Sequence, residues 1–217
     1  MSSPRALAAT AGALYLVTFV TSIPAAALNA PLLAGTDVEP AASAAASVLE
    51  VLLALACIGT AVVLFPLIRR AGEIGALGFV ASRTLEAGVI ITGVVAVLSL
   101  SSLREAGTAS DDPVALLLVE AHRWAFLLGP GLIPAVNALC LAPVLYRARL
   151  LPRVIPVVGM IGIPLLTASA FATVFGLFDQ TSPVAAALAA PIALWELALG
   201  VWLVVRGFRP DAVARLV

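Results

Sequence analysis

Six stretches of this chain, residues 6–28, 43–68, 74–103, 113–146, 154–178 and 184–206, are long, apolar and almost free of charge. A helix needs about 20 apolar residues, rising 1.5 Å each, to cross a hydrocarbon core roughly 30 Å thick. All six qualify. Of the 217 residues, 62% are hydrophobic and 11% charged, and the mean hydropathy is +1.14. A soluble domain of this size has no interior large enough for that much apolar surface, so the bilayer has to serve as its solvent. The sequence therefore predicts an all-α integral membrane bundle of six transmembrane helices, forming a single transmembrane domain over 1–217. The opening MSSPRALAATAGALYLVTFVTSIPAAA carries an apolar run too long for a signal peptide and reads as a retained first span.

The connections are short. NAPLLAGTDVEP carries proline, glycine and acids and reads as a loop. RRAGE reads as a tight turn, and Asp112-Pro113 as an N-cap followed by proline at the first helical position. In a six-span arrangement Arg5, Arg69, Arg70, Arg147, Arg149, Arg153, Arg206, Arg209 and Arg215 all fall on one side. Arg104 alone flanks the other, beside Asp37, Glu39, Asp111, Asp112 and Asp179. The positive-inside rule then predicts a multi-pass membrane protein with both termini cytoplasmic.

Span four would be about 50 Å long if continuous. It contains GPGLIP, whose Pro130 and Pro134 remove backbone donors, so a kink or break is expected there. Irregular backbone at that depth is tolerated where it lines protein or a cavity rather than lipid.

The spans also carry charges. Counting at 1.5 Å per residue from the helix ends, Glu50 in span two, Arg83 and Glu86 in span three, His122 and Arg123 in span four and Glu196 in span six fall in one central slab roughly 10 Å thick. Asn137 follows on nearly the same face as His122, whereas Glu120 points away. An arginine or acid at a helix centre costs about 2.5–3.5 kcal/mol on insertion scales, so such groups face the bundle interior and pair. Arg83 and Glu86, three apart on one helix face, are expected to turn inward toward Glu50 or Glu196. Glu50, Arg83, Glu86, His122, Arg123, Asn137 and Glu196 are the candidate binding residues, and Glu86, His122 and Glu196 the candidate proton donors. The expected site is a cavity beside GPGLIP, between spans three, four and six, bounded by Arg83, Glu86, His122 and Glu196 and open toward the outer half. Trp124 and Trp195 are expected to pack in the core.

Several chemistries drop out. Every basic residue is arginine, so no Schiff base to retinal or pyridoxal can form. Cys57 and Cys140 are isolated, without a CxxC or Cys/His cluster. His122 is the only histidine, nearby arginines oppose a dication, and no HxxxH or ExxH spacing is present, so neither metal nor haem is expected and no cofactor is assigned. A net charge of zero argues against nucleic acid as a partner.

RALAATAGALYLV, RTLEA, the long run from AHRWAFLLGPGLIPAVNALCLAPVLYRARLLPR to VIPVVGMIGIPL, and PIALWELALGVWLVVRGF together resemble the bacterial membrane family called domain of unknown function 4386. The resemblance covers nearly the whole chain and implies a six-helix bacterial membrane protein; it supplies no activity and no catalytic residue.

Three functions fit. In the first, the polar layer lines a pocket for a small, mostly apolar, lipid- or isoprenoid-like molecule, with Arg83 as its anchor. Acids in an apolar cavity can donate protons at neutral pH, so acid–base catalysis is open to such a site. The second is a proton-coupled transporter of small solutes, for which broken helices with midplane polar groups are a signature and for which six spans would need a homodimer. The third is a structural or assembly protein in contact with membrane lipids, its charges serving only to lock helices together.

Overall fold

A computed structural model of the chain describes residues 3–36 and 39–216; Asp37, counted above on the acidic side, lies outside them. The elements are α1 (Pro4–Leu33), α2 (Pro40–Ile68), α3 (Glu73–Glu105), α4 (Pro113–Leu128), α5 (Ile133–Ala148), α6 (Val154–Val174), α7 (Pro183–Val205) and the short α8 (Pro210–Ala214). Proline opens α1, α2, α4 and α7. It is well suited there, because its missing N–H is one that the first turn leaves unpaired anyway. Side-chain caps hold three of those starts: Ser3 Oγ accepts from the Ala6 N–H at 3.2 Å, Asp112 Oδ1 from Val114 at 2.8 Å and Ser182 Oγ from Ala185 at 3.2 Å.

Six helical units are long and apolar enough to cross a membrane: α1, α2, α3, α4 with α5, α6 and α7. They pack as a closed ring, each against its chain neighbours, with α7 returning to α1. Two features close it. Arg5 donates to the carbonyls of Leu203 at 3.1 Å and Val204 at 2.6 Å, tying the start of α1 to the end of α7. Above that tie Gly12 faces Gly200 so closely that a Cβ on Gly12 would stand 2.7 Å from the Gly200 carbonyl oxygen. Both described ends of the chain therefore lie at one end of the ring, called here the terminal end.

The fourth span is broken where expected. The Gly129 N–H bonds to Ala125 at 2.8 Å, but the Gly131 N–H reaches back to Phe126 at 3.0 Å, a wider turn than an α-helix makes. A side chain could not follow: a Cβ on Gly131 would meet the Leu127 carbonyl oxygen at 2.5 Å. Pro134 then sits in the first turn of α5, where it needs no donor.

Two boundaries differ most from expectation, and the first is the end of the fifth span, at Val174 rather than 178. At the second, the segment read as a loop from Asn29 is helical to Leu33, because Asn29 and Leu32 are buried against the neighbouring helices in spite of Pro31. Tertiary burial overrides the local breaker signal.

Helix lengths divide the ring into two halves. With 21 and 23 residues, α6 and α7 reach about 32 and 35 Å, whereas α1, α2 and α3, with 30, 29 and 33, reach about 44 to 50 Å. Each has one end at the terminal end, the starts of α1, α3 and α6 and the last residues of α2 and α7, so α6 and α7 stop short at the far end. The terminal half is filled by large buried side chains, among them Tyr15, Phe79, Leu141, Trp195 and Leu199. In the far half α4 packs chiefly on α3.

Candidate functional site

The polar residues of the spans form two layers rather than one. The first is centred on Arg83, about 15 Å above the start of α3. Its Nη1 donates to Glu86 Oε2 at 3.0 Å, and its Nη2 makes a short hydrogen bond to Glu196 Oε1 on α7. Asn137 Nδ2, on α5, donates to the same Glu86 oxygen at 2.8 Å. The guanidinium carbon lies 5.1 Å from the centre of the Tyr15 ring and 5.7 Å from that of Phe79, and Nη1 approaches Cys57 Sγ at 3.5 Å. Five helices thus converge on one cation that is 1% exposed. An arginine so placed is stable only with its charge matched, and here two carboxylates surround it.

The second layer stands about 30 Å above the terminal end, at the height of Glu50 on α2 and Gly93 on α3. It lines a cavity of about 670 Å³ between α1, α2, α3, α4 and the loop joining α6 to α7. The walls are apolar, with Ile23, Ala26, Leu53, Ile90, Val119 and Phe126 among them. Glu50, Asn29 and His122 supply buried polar groups, and Pro130 of the helix break also contributes. Asn29 Nδ2 donates to Glu50 Oε1 at 3.2 Å. Glu50 Oε2 and Asn29 Oδ1 are buried with no protein partner. His122 Nδ1 is 3.3 Å from the Gly93 carbonyl oxygen. A carbonyl only accepts, so that nitrogen carries the ring proton and Nε2 is left as an acceptor. The absence of a side chain at Gly93 permits the approach, since a Cβ there would sit 3.3 Å from the ring nitrogen.

One rim of the cavity is polar. Arg123 Nη1 donates to Glu120 Oε1 at 2.9 Å, and Nη2 to Asp179 Oδ2 at 3.1 Å. The hydroxyl and N–H of Thr181 donate to the other Asp179 oxygen at 2.6 and 2.8 Å. These Thr181 bonds and then the neighbouring arginine hold the Asp179 carboxyl below its ordinary range. Gln180 and Thr181 complete this rim.

The cavity therefore differs from the one expected. Of the four groups named as its walls, His122 lines it, while Arg83, Glu86 and Glu196 meet in the layer below and do not. It lies against α1 and α2 rather than against the sixth span. Asn137 joins Glu86 instead of aligning with His122. Glu50 pairs with Asn29, not with Arg83. Arg123 is half-exposed at the rim and bonded to Glu120. The single slab was an artefact of counting from far ends that are not level. Trp195 is fully buried as expected, but Trp124 is 47% exposed. Asn29 was missed because its segment carries loop signals; its place opposite Glu50 follows only once α1 is seen to continue.

No group of three or more His, Cys, Asp or Glu side chains able to hold a metal occurs among the described residues. Among protein families, the model described as "Domain of unknown function (DUF4386)" matches residues 10–207. No curated protein and no solved structure matches the chain.

Proposed function

We propose, for a chain that belongs to the family of the domain of unknown function 4386, that the far-half cavity binds a small, mostly apolar molecule. The observation that carries this reading is an apolar cavity whose buried Glu50 and Asn29 oxygens have no protein partner. Its volume, about 670 Å³, lies within the span of small-molecule pockets, and a few convergent polar groups on apolar walls are their usual lining. The packed Arg83 layer closes the ring beneath the cavity, which favours a binding pocket over a through-passage. Glu86 and Glu196 belong to that packed layer, so any acid–base role in the cavity falls to Glu50 and His122.

The orientation proposed puts the terminal end in the cytoplasm and the cavity mouth outside. Its support is the arginine distribution: Arg69, Arg70, Arg147, Arg149, Arg153 and Arg206 lie where helices meet the terminal end, and Arg104 with Asp111, Asp112 and Asp179 at the far end.

Purification in mild detergent, followed by mass spectrometry of extracted small molecules, tests the pocket. A stoichiometric apolar molecule is expected with the wild type and not with Ala26→Phe, which places a ring in the cavity. Equal recovery from both proteins would sink the proposal.

A further inference from the structure

Apart from Ser22 and the rim residue Gln180, which carry donors, the unpartnered polar atoms bordering the cavity are of one kind. Glu50 Oε2 and Asn29 Oδ1 accept hydrogen bonds and have no protein donor. His122 Nε2 is an acceptor as well, because Nδ1 is engaged with the Gly93 carbonyl. The donor that might have answered them, Asn29 Nδ2, is already bonded to Glu50 Oε1. Among the described residues no cation stands within 4.0 Å of the Glu50 carboxylate, although Glu50 is only 8% exposed. The arginine that lines the same cavity, Arg123, is held at the rim by two acids of its own. A buried carboxylate without donors or a counter-charge is costly, and a ligand that supplies both offsets part of that cost.

We infer that the molecule bound in this cavity is an amphiphilic amine, its ammonium group seated among Glu50, Asn29 and His122 and its apolar body along α1 and α4. The inference rests on the binding reading above and adds the chemistry of the ligand's polar end. An ammonium has three N–H donors, which matches the three free acceptors, and its charge balances Glu50. At that seat a carboxylate or phosphate head would meet acceptors and a like charge. The split at the rim fits the same sign: Arg123 is matched by Glu120 and Asp179, so the entrance offers no unpaired cation to an anion.

Binding of tritiated n-decylamine to the full chain in lipid nanodiscs tests this, with Ala26→Phe as background. Saturable binding is expected, with n-decanol and decanoate competing at least about tenfold more weakly than unlabelled n-decylamine. Glu50→Gln, which keeps the shape and the Asn29 contact, is expected to weaken n-decylamine by about tenfold or more, since it leaves the ammonium without its partner charge. Glu73→Gln, at the terminal end, is expected to leave it unchanged. If n-decanol or decanoate competes as well as n-decylamine, the amine inference is overturned while the pocket stands. Should no probe bind above the Ala26→Phe background, the pocket reading itself is overturned. The ranking of probes on the wild type decides the matter even if Glu50→Gln does not fold.

Discussion

Arg83 shows what a buried charge asks of its surroundings. It is held by Glu86 and Glu196, and Glu86 in turn by Asn137. Removing it strands two carboxylates, so Arg83→Met is expected to lower stability by about 3–5 kcal/mol. Adding Glu86→Gln alone should restore only part of that loss, because Glu196 stays unmatched; adding Glu196→Gln as well should restore most of it. Thermal unfolding of the four proteins in detergent checks this. A further loss of stability on each added substitution, instead of recovery, would rule out the coupling. The Arg83–Glu86 pair was legible in the sequence because a three-residue spacing on a helix fixes both on one face. Glu196 was legible from depth because α7 is short, 23 residues, so a count from its far end reaches nearly the height that a count from the terminal end gives. Glu50 and His122 were recognised as inward-facing but assigned to the wrong company. Their height depends on how far each helix overhangs at the far end, and neither hydropathy nor spacing records that. Asn29 was hidden by the prolines around it.

At the scale of elements, two features shape the cavity: the break between α4 and α5, and the link from α4 to the α6–α7 loop. The break was readable from GPGLIP, since two prolines and two glycines leave a helix few ways to continue. Gly131→Ala is expected to cost about 1–3 kcal/mol, because its Cβ has no room beside the Leu127 carbonyl. Gly88→Ala on α3, where a Cβ meets nothing within 4 Å, should instead gain roughly 0.5–1 kcal/mol from helix propensity. Unfolding of the two variants side by side separates a required glycine from a tolerated one. The loop link has a pH signature. Asp179 titrates below its ordinary value, so its contribution is complete above the ordinary carboxylate pKa of about 3.9 and is lost as pH falls through the lowered value. Hydrogen exchange in residues 175–182 should therefore stay constant, after correction for intrinsic rates, from neutral pH down to about pH 4 and rise only below it. Asp179→Asn should raise it throughout and remove the dependence. A rise already complete at pH 5 would show that the ion pair does not hold the loop.

Taken whole, the molecule is a ring of six spans that is packed at one end and open at the other. Hydropathy alone gave the number of spans, because each must reach across the same hydrocarbon thickness. Closure of the ring was not readable, since it depends on Arg5 meeting the end of α7 and on the close passage of Gly12 and Gly200, residues far apart in the chain. The orientation proposed is checked with reporter fusions: those after residues 36 and 109 should report outside, and those after 71 and 150 inside. A reversed result at any two sites would overturn it. The central claim is that the far-half cavity takes up an apolar molecule. A decane chain bearing a diazirine, photolysed with the protein in nanodiscs and mapped by peptide mass spectrometry, tests it most directly. Saturable labelling is expected on Ile23 to Ala30 of α1 and on Val119 to Phe126 of α4, and Ala26→Phe should abolish it. Labelling confined to lipid-facing positions such as Val62 and Leu85, rising without saturation and unchanged by Ala26→Phe, would contradict the account.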